Sequence, residues 1–314
     1  MIAPSAPSHT PQSKVGLIPN LLGLGLFWGL SPVMTKALAG FGVSPLQTIT
    51  YSSLAVGVVL FSVWRAFGPV KLNDARLWLF GLGCAVMLNI PFGLSLTVVG
   101  HVPVSTFSIV TSTTPLFGYL LAVITGMEKP NRLRILAIIA GFLGAALLII
   151  DADMIDHGLA IDPWLAAAFG LPLFYALYHL FAARLWPKGR ETSAVGIAES
   201  MAAGLAFLPL LLIIDGPTVA TTISTPGLIL LVGVSVLWVV ERIAFFNLVR
   251  YFGPVSTVQA VNLATVSTVV MGAVIYGEPI DARIIVSAAL VILALWLNAK
   301  AERGREKIQA AASQ

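Results

Sequence analysis

Long apolar stretches alternate with short breaks along this chain. Ten stretches are mostly apolar, at 17–38, 45–66, 76–98, 103–125, 133–151, 163–185, 193–214, 226–250, 254–276 and 282–299. A helix rises 1.5 Å per residue, so roughly twenty apolar residues cross a bilayer core of about 30 Å. The breaks are short and marked by Gly, Pro, Asp, Lys or Arg, which favours neighbouring antiparallel helices. A transmembrane β-barrel would instead show segments of about ten alternating residues. The pattern predicts an all-α polytopic membrane protein with ten transmembrane helices.

Composition sharpens that reading. Of 314 residues, 58% are hydrophobic and 10% are charged, with a mean hydropathy of +0.93. A soluble domain carries about 25% charge, so a soluble enzyme is excluded, and so is an intrinsically disordered chain. Residues 1–15 are polar and hold Pro4, Pro7 and Pro11, and are expected to be disordered. They lack the basic region, short apolar core and small-residue site of a cleaved signal, so the first run reads as a retained span. Residues 300–314 are charged and helical in composition and read as a solvated cytoplasmic tail. The single cysteine, Cys84, allows no intrachain disulfide and reads as a packing residue.

The net charge of +4 does not form a nucleic-acid-binding face. With the N-terminus placed in the cytoplasm, 15 of the 18 Lys and Arg residues fall on the inner side of the ten spans. Lys36 and Arg283 lie near outer ends and Arg242 lies within a span. The outer loop 151–162 holds four aspartates and no basic residue. This asymmetry follows the positive-inside rule and predicts both termini in the cytoplasm.

The chain repeats itself. Residues 102–106 read VPVST and residues 253–257 read GPVST, an offset of 151 that also pairs Gly126 with Gly277. Just beyond, Glu128-Lys129-Pro130 answers Glu278-Pro279. The predicted units are 16–151 and 163–299, of five spans each. An odd number of spans puts the two halves in opposite orientations, the inverted repeat of secondary transporters, whose site lies near the midplane between the halves.

These residues resemble the drug/metabolite transporter superfamily, in particular its EamA-type members with ten spans in two repeats. The resemblance is carried by LLGLGLFWGLSPVMTKAL at 21–38 and by the two repeat tails, 103–149 and 254–297. It covers nearly the whole chain. One departure is Val266, which stands where the first half has Pro115. The resemblance implies transport of small organic solutes, often export of amino acids or related metabolites, with a bacterial inner-membrane location.

Motifs for other chemistry are missing from the sequence. There is no P-loop, no HExxH, no Cys/His metal spacing and no G-x-S-x-G elbow. The sequence therefore predicts no catalytic residue, metal or cofactor. A membrane-embedded enzyme and a non-transporting scaffold or sensor remain as alternatives. The expected partners are a small-molecule solute and the lipid bilayer. Gly141, Gly144 and Ala145 allow close helix approach, within the chain or between two copies.

Polar groups inside spans are costly and usually face the bundle interior. The candidates for a central cavity are Trp28, Asn89, Tyr175, Tyr178, His179, Trp238, Gln259 and Asn262. Tyr175 and His179 are spaced i, i+4, while Trp238 with Glu241 and Gln259 with Asn262 are spaced i, i+3. Aromatic walls with a few polar groups suit an amphipathic organic solute. Each aromatic or histidine has a packing alternative, and the span-4 threonines can bond back to their own helix. Trp64, Trp78, Trp164, Trp186 and Trp296 read as interfacial anchors. Lys36 is expected to reach the outer surface and Glu199 the cytoplasmic interface.

Glu241 and Arg242 are the only adjacent opposite charges within a span. Neighbours on a helix point about 100° apart, so at least one needs another partner or a wet cavity. One reading makes Glu241 a proton carrier or a contact for a substrate amine, with Arg242 neutralising it or meeting a carboxylate. The other makes the pair a water-bridged lock that sets an inner gate.

Overall fold

The computed structural model describes residues 17–126, 129–149, 162–216, 223–248 and 254–312. Eleven helices are described: α1 (Leu17–Gly40), α2 (Pro45–Phe67), α3 (Ala75–Val98), α4 (Val104–Thr111), α5 (Thr114–Ile124), α6 (Arg132–Ile149), α7 (Pro163–Arg184), α8 (Thr192–Ile214), α9 (Thr225–Asn247), α10 (Pro254–Tyr276) and α11 (Ala282–Ala312). Helices α4 and α5 together form the fourth span, so the described helices make ten spans. Eight described segments are apolar and long enough to cross a membrane by length and composition alone. The expected disordered segment 1–15 and most of the acidic loop lie outside the described residues. The tail does not stop at the span: α11 continues to Ala312.

Local sequence explains where the spans begin. Ser44 accepts from the Gln47 N–H at 3.1 Å while the Gln47 side chain accepts from the Ser44 N–H at 2.8 Å, a capping box with Pro45 in the first turn. Asp162 caps α7 in front of Pro163, and Ser224 caps α9 in front of Pro226. The glycine pair named by the repeat keeps its backbone: Gly126 after α5 has φ +67° and Gly277 after α10 has φ +64°. Both are helix-ending residues in the left-handed region that favours glycine.

The fourth span is broken, for a reason written in the sequence. Pro115 has no N–H to give the carbonyl four residues back, which belongs to Thr111. The Thr114 hydroxyl donates to that carbonyl at 2.6 Å instead. The neighbouring hydroxyls of Ser112 and Thr113 donate to the carbonyls of Ile109 and Val110, both at 2.7 Å. In the second half Val266 retains its N–H, and α10 runs unbroken from Pro254 to Tyr276.

Packing shows the pseudo-symmetry. The most extensive contacts are α6 with α11 and α2 with α8. Each pairs a span with its own mate five places on. The contact of α1 with α10 is answered by α7 against α4 and α5, and that of α1 with α9 by α7 with α3. Exchanging every span with its mate therefore maps these major contacts onto one another. Because five spans separate mates, each mate runs the opposite way, which makes the two repeats inverted. Gly144 lets α11 approach α6: a Cβ there would lie 2.9 Å from the Ser287 carbonyl oxygen, and the Ser287 hydroxyl donates to the Gly144 carbonyl at 2.7 Å. Gly141, Gly144 and Ala145 thus pack inside the chain, where Gly141 faces Leu116 and Ala294 and Ala145 is fully buried.

Candidate functional site: a cavity between the two repeats

A cavity of about 190 Å³ lies between the repeats. Two backbone irregularities open it. Pro32 interrupts the hydrogen-bond ladder of α1, and the α4–α5 break presents Thr111, Ser112 and Thr114 to the same space. The Tyr276 hydroxyl donates to the Val33 carbonyl at 2.7 Å and the Thr268 hydroxyl to the Gly29 carbonyl at 2.7 Å, so α10 supports α1 around its proline.

The second repeat supplies the aromatic and charged wall. Tyr175, Tyr178 and His179 come from α7, and Glu241, Arg242 and Phe245 from α9. Their spacing of four residues puts Glu241 and Phe245 on one helix face. Phe245 stacks with Tyr178 at 6.0 Å between ring centroids and lies 5.6 Å from His179 and 6.2 Å from Trp28. Aromatic rings from α1, α7 and α9 therefore form one continuous surface.

The adjacent charges of α9 take separate partners. The Trp28 indole N–H donates to Glu241 Oε1 at 2.8 Å, joining the two repeats. Arg242 Nη1 donates to Glu199 Oε1 at 2.6 Å, and the Tyr178 hydroxyl donates to the same oxygen at 3.2 Å. The side chains of Arg242 and Glu199 are 10% and 1% exposed. This corrects the expectation that Glu199 reaches the cytoplasmic interface. Burying a lone carboxylate there is costly, and the Arg242 guanidinium offsets that cost. The partner of Arg242 is thus on α8, and no Glu241–Arg242 ion pair forms.

The cavity brings together Trp28, Tyr175, Tyr178, His179, Glu241 and Arg242. Asn89 and Trp238, expected at its border, do not line it. Asn89 turns back on its own helix, donating to the Ala85 carbonyl at 2.8 Å. Trp238 packs edge-on against Phe92 at 5.2 Å and is buried beside Val56 and Leu60 of α2. A spacing of three residues leaves its direction about 60° from that of Glu241, enough to aim it at α2. The side chains of Gln259 and Asn262 lie outside the described residues. Sequence reasoning missed Ser95, Ser108, Phe245 and Thr265 as lining residues. The i, i+4 relation to Glu241 could have found Phe245. Nothing local signals the pairing of Glu199 with Arg242, which are 43 residues apart.

The ends of the bundle are tied across the repeats. Glu278, in the α10–α11 link, accepts from the Val104 N–H at 2.8 Å, the Ser105 N–H at 3.1 Å and the Ser105 hydroxyl at 2.8 Å. Pro103, before α4, gives no side-chain cap, so a carboxylate of the other repeat caps that helix, where the helix dipole favours an anion. Lys36 completes the cluster at 3.3 Å from Glu278 and 5.0 Å from the Tyr276 ring centre. It is therefore paired. Burial pushes the Glu278 carboxyl up, but the Ser105 and Val104 hydrogen bonds and Lys36 outweigh it and hold it below its ordinary 4.5. At the opposite end Arg190 binds Asp74, the N-cap of α3, at 2.7 Å. Its hydrogen bond, with that from the Arg76 N–H, lowers the Asp74 carboxyl.

Ten spans in two inverted halves, with polar groups from both around one cavity, define the architecture of a secondary transporter. The EamA-like transporter family matches residues 17–150 and again residues 162–299, and the chain belongs to that family. No curated protein sequence matches it. A solved structure described only as "Crystal structure of protein" is similar in fold, with a TM-score of 0.66 and 17% identity over 92% of this chain and 98% of that one.

Proposed function

We propose that this transporter moves a small organic metabolite, an amino acid or a related compound, out of a bacterial cell across the inner membrane. The central cavity is its binding site, and the two repeats rock against each other to expose it to either side in turn. One observation carries the reading: polar side chains of both repeats converge on a single cavity, with Trp28, Ser95 and Thr111 from the first and Tyr175, His179 and Glu241 from the second. A packed scaffold would fill the space between the repeats and leave no cavity. The cross-repeat ties at Glu278 and at Asp74 sit at opposite ends, as expected of contacts that break in alternation. Both termini face the cytoplasm in this reading, supported by the distribution of Lys and Arg.

The test is counterflow in proteoliposomes with a labelled panel of amino acids, amines and organic acids. Accumulation of at least one compound, abolished in a variant that fills the cavity such as Ser108→Trp, is the expected result. A protein that is folded and inserted, yet moves nothing in the panel, would refute it.

A further inference from the structure

The charges around the cavity do not cancel. Among the described residues, three groups of the cavity and its wall carry the formal charges: Glu241, Arg242 and Glu199. The guanidinium is already engaged by Glu199 at 2.6 Å. Its Nε is buried and holds no hydrogen-bond partner. Glu241 lines the cavity and holds only a neutral donor there, the Trp28 indole N–H. One carboxylate is left without a cation, and it faces an aromatic surface formed by Trp28, His179 and Phe245.

Resting on the transporter reading above, we infer that the cavity takes a cationic amine with an aromatic or apolar body and no carboxylate, and that Glu241 binds its ammonium group. An uncompensated carboxylate in a site of low dielectric is best matched by one positive charge. The faces of aromatic rings within about 6 Å add attraction for the same cation. A zwitterionic amino acid would bring its own carboxylate beside Glu241. The only cation among the described lining residues is Arg242, whose charge Glu199 already balances, so a bound zwitterion would leave the site with a net negative charge where an amine would neutralise it. The hydroxyls of Ser31, Ser95, Ser108 and Thr111 also line the space. Ser95 and Thr111 give their protons to carbonyls of their own helices, and the hydroxyl oxygens can still accept from an ammonium N–H without adding positive charge.

The experiment compares ligands that share a body and differ in charge. Tryptamine and phenethylamine, tryptophan and phenylalanine, and the corresponding arylpropionates are titrated calorimetrically into the purified full-length protein. The amines should bind at least about tenfold tighter than the amino acids, and the propionates should not bind. Glu241→Gln, which keeps the shape and the acceptor for Trp28, should remove most of that preference. The native protein decides the question even if the variant does not fold. Amino acids that bind as tightly as the amines, no binding by any of the six, or a preference that survives in folded Glu241→Gln would each overturn the inference. Counterflow of the same six compounds reads the transport proposal separately. Amines that bind without moving would sink transport alone, and movement without amine preference would sink the ligand class alone.

Discussion

The Glu199–Arg242 pair sets up a prediction whose size follows from its geometry. With charge centres about 4 Å apart and an effective dielectric of about 20, their attraction is about 4 kcal/mol. Both side chains are buried, so cutting either one leaves the other as an isolated charge. Glu199→Leu and Arg242→Met should each cost about 3–5 kcal/mol, while the double variant, of similar volume and apolar, should cost far less than the two combined. The coupling energy should be about 3 kcal/mol or more. Reversible unfolding in mixed micelles or steric trapping in bicelles would measure all four proteins. Single-site effects that add within about 0.5 kcal/mol would refute the reasoning, because a pair that is desolvated and in contact at 2.6 Å must be strongly coupled. The Tyr178 hydroxyl, at 3.2 Å from the same Glu199 oxygen, gives a smaller internal check.

Three further outcomes are expected. Thr114→Val removes the donor that serves the Thr111 carbonyl and should cost about 1–3 kcal/mol, but much less in a Pro115→Ala background, where a backbone N–H is restored; equal costs in both, in the same unfolding assay, would contradict this account of the break. Glu278→Gln loses one acceptor and should lower the melting temperature near neutral pH. A carboxyl held below its ordinary value stabilises the fold above pH 4.5 and loses that contribution as pH falls through its folded-state value, so the gap between native protein and variant should narrow only below 4.5. Reporter fusions at Gly158 and Lys188 should fall outside and inside the cell, respectively; the same side for both would contradict the proposed orientation.

Much of this protein is a one-dimensional signal. A bilayer demands apolar length and internal satisfaction of every backbone group, so ten spans can be read from hydropathy without any knowledge of contacts. The repeat is equally local, since VPVST, GPVST and the paired glycines keep their order and spacing. Even the break in the fourth span follows from Pro115, and the continuity of α10 from Val266. Tyr175 with His179 reached the cavity because four residues return a helix to nearly the same face.

Other features depended on which helices became neighbours. Trp238 and Asn89 carried the same polar or aromatic signal as Trp28, yet one faces α2 and the other bonds its own helix. Glu199 looked like a residue near water because its partner lies on another helix, 43 residues along the chain. Lys36 and Glu278 are 242 residues apart and meet only because the second repeat folds back, inverted, against the first. Hydropathy reports the cost of moving a side chain out of water, and that cost is the same wherever the residue sits in a helix. Whether the cost is offset by a partner, by the chain's own backbone or by an open cavity depends on the helix opposite, and that is decided only in three dimensions.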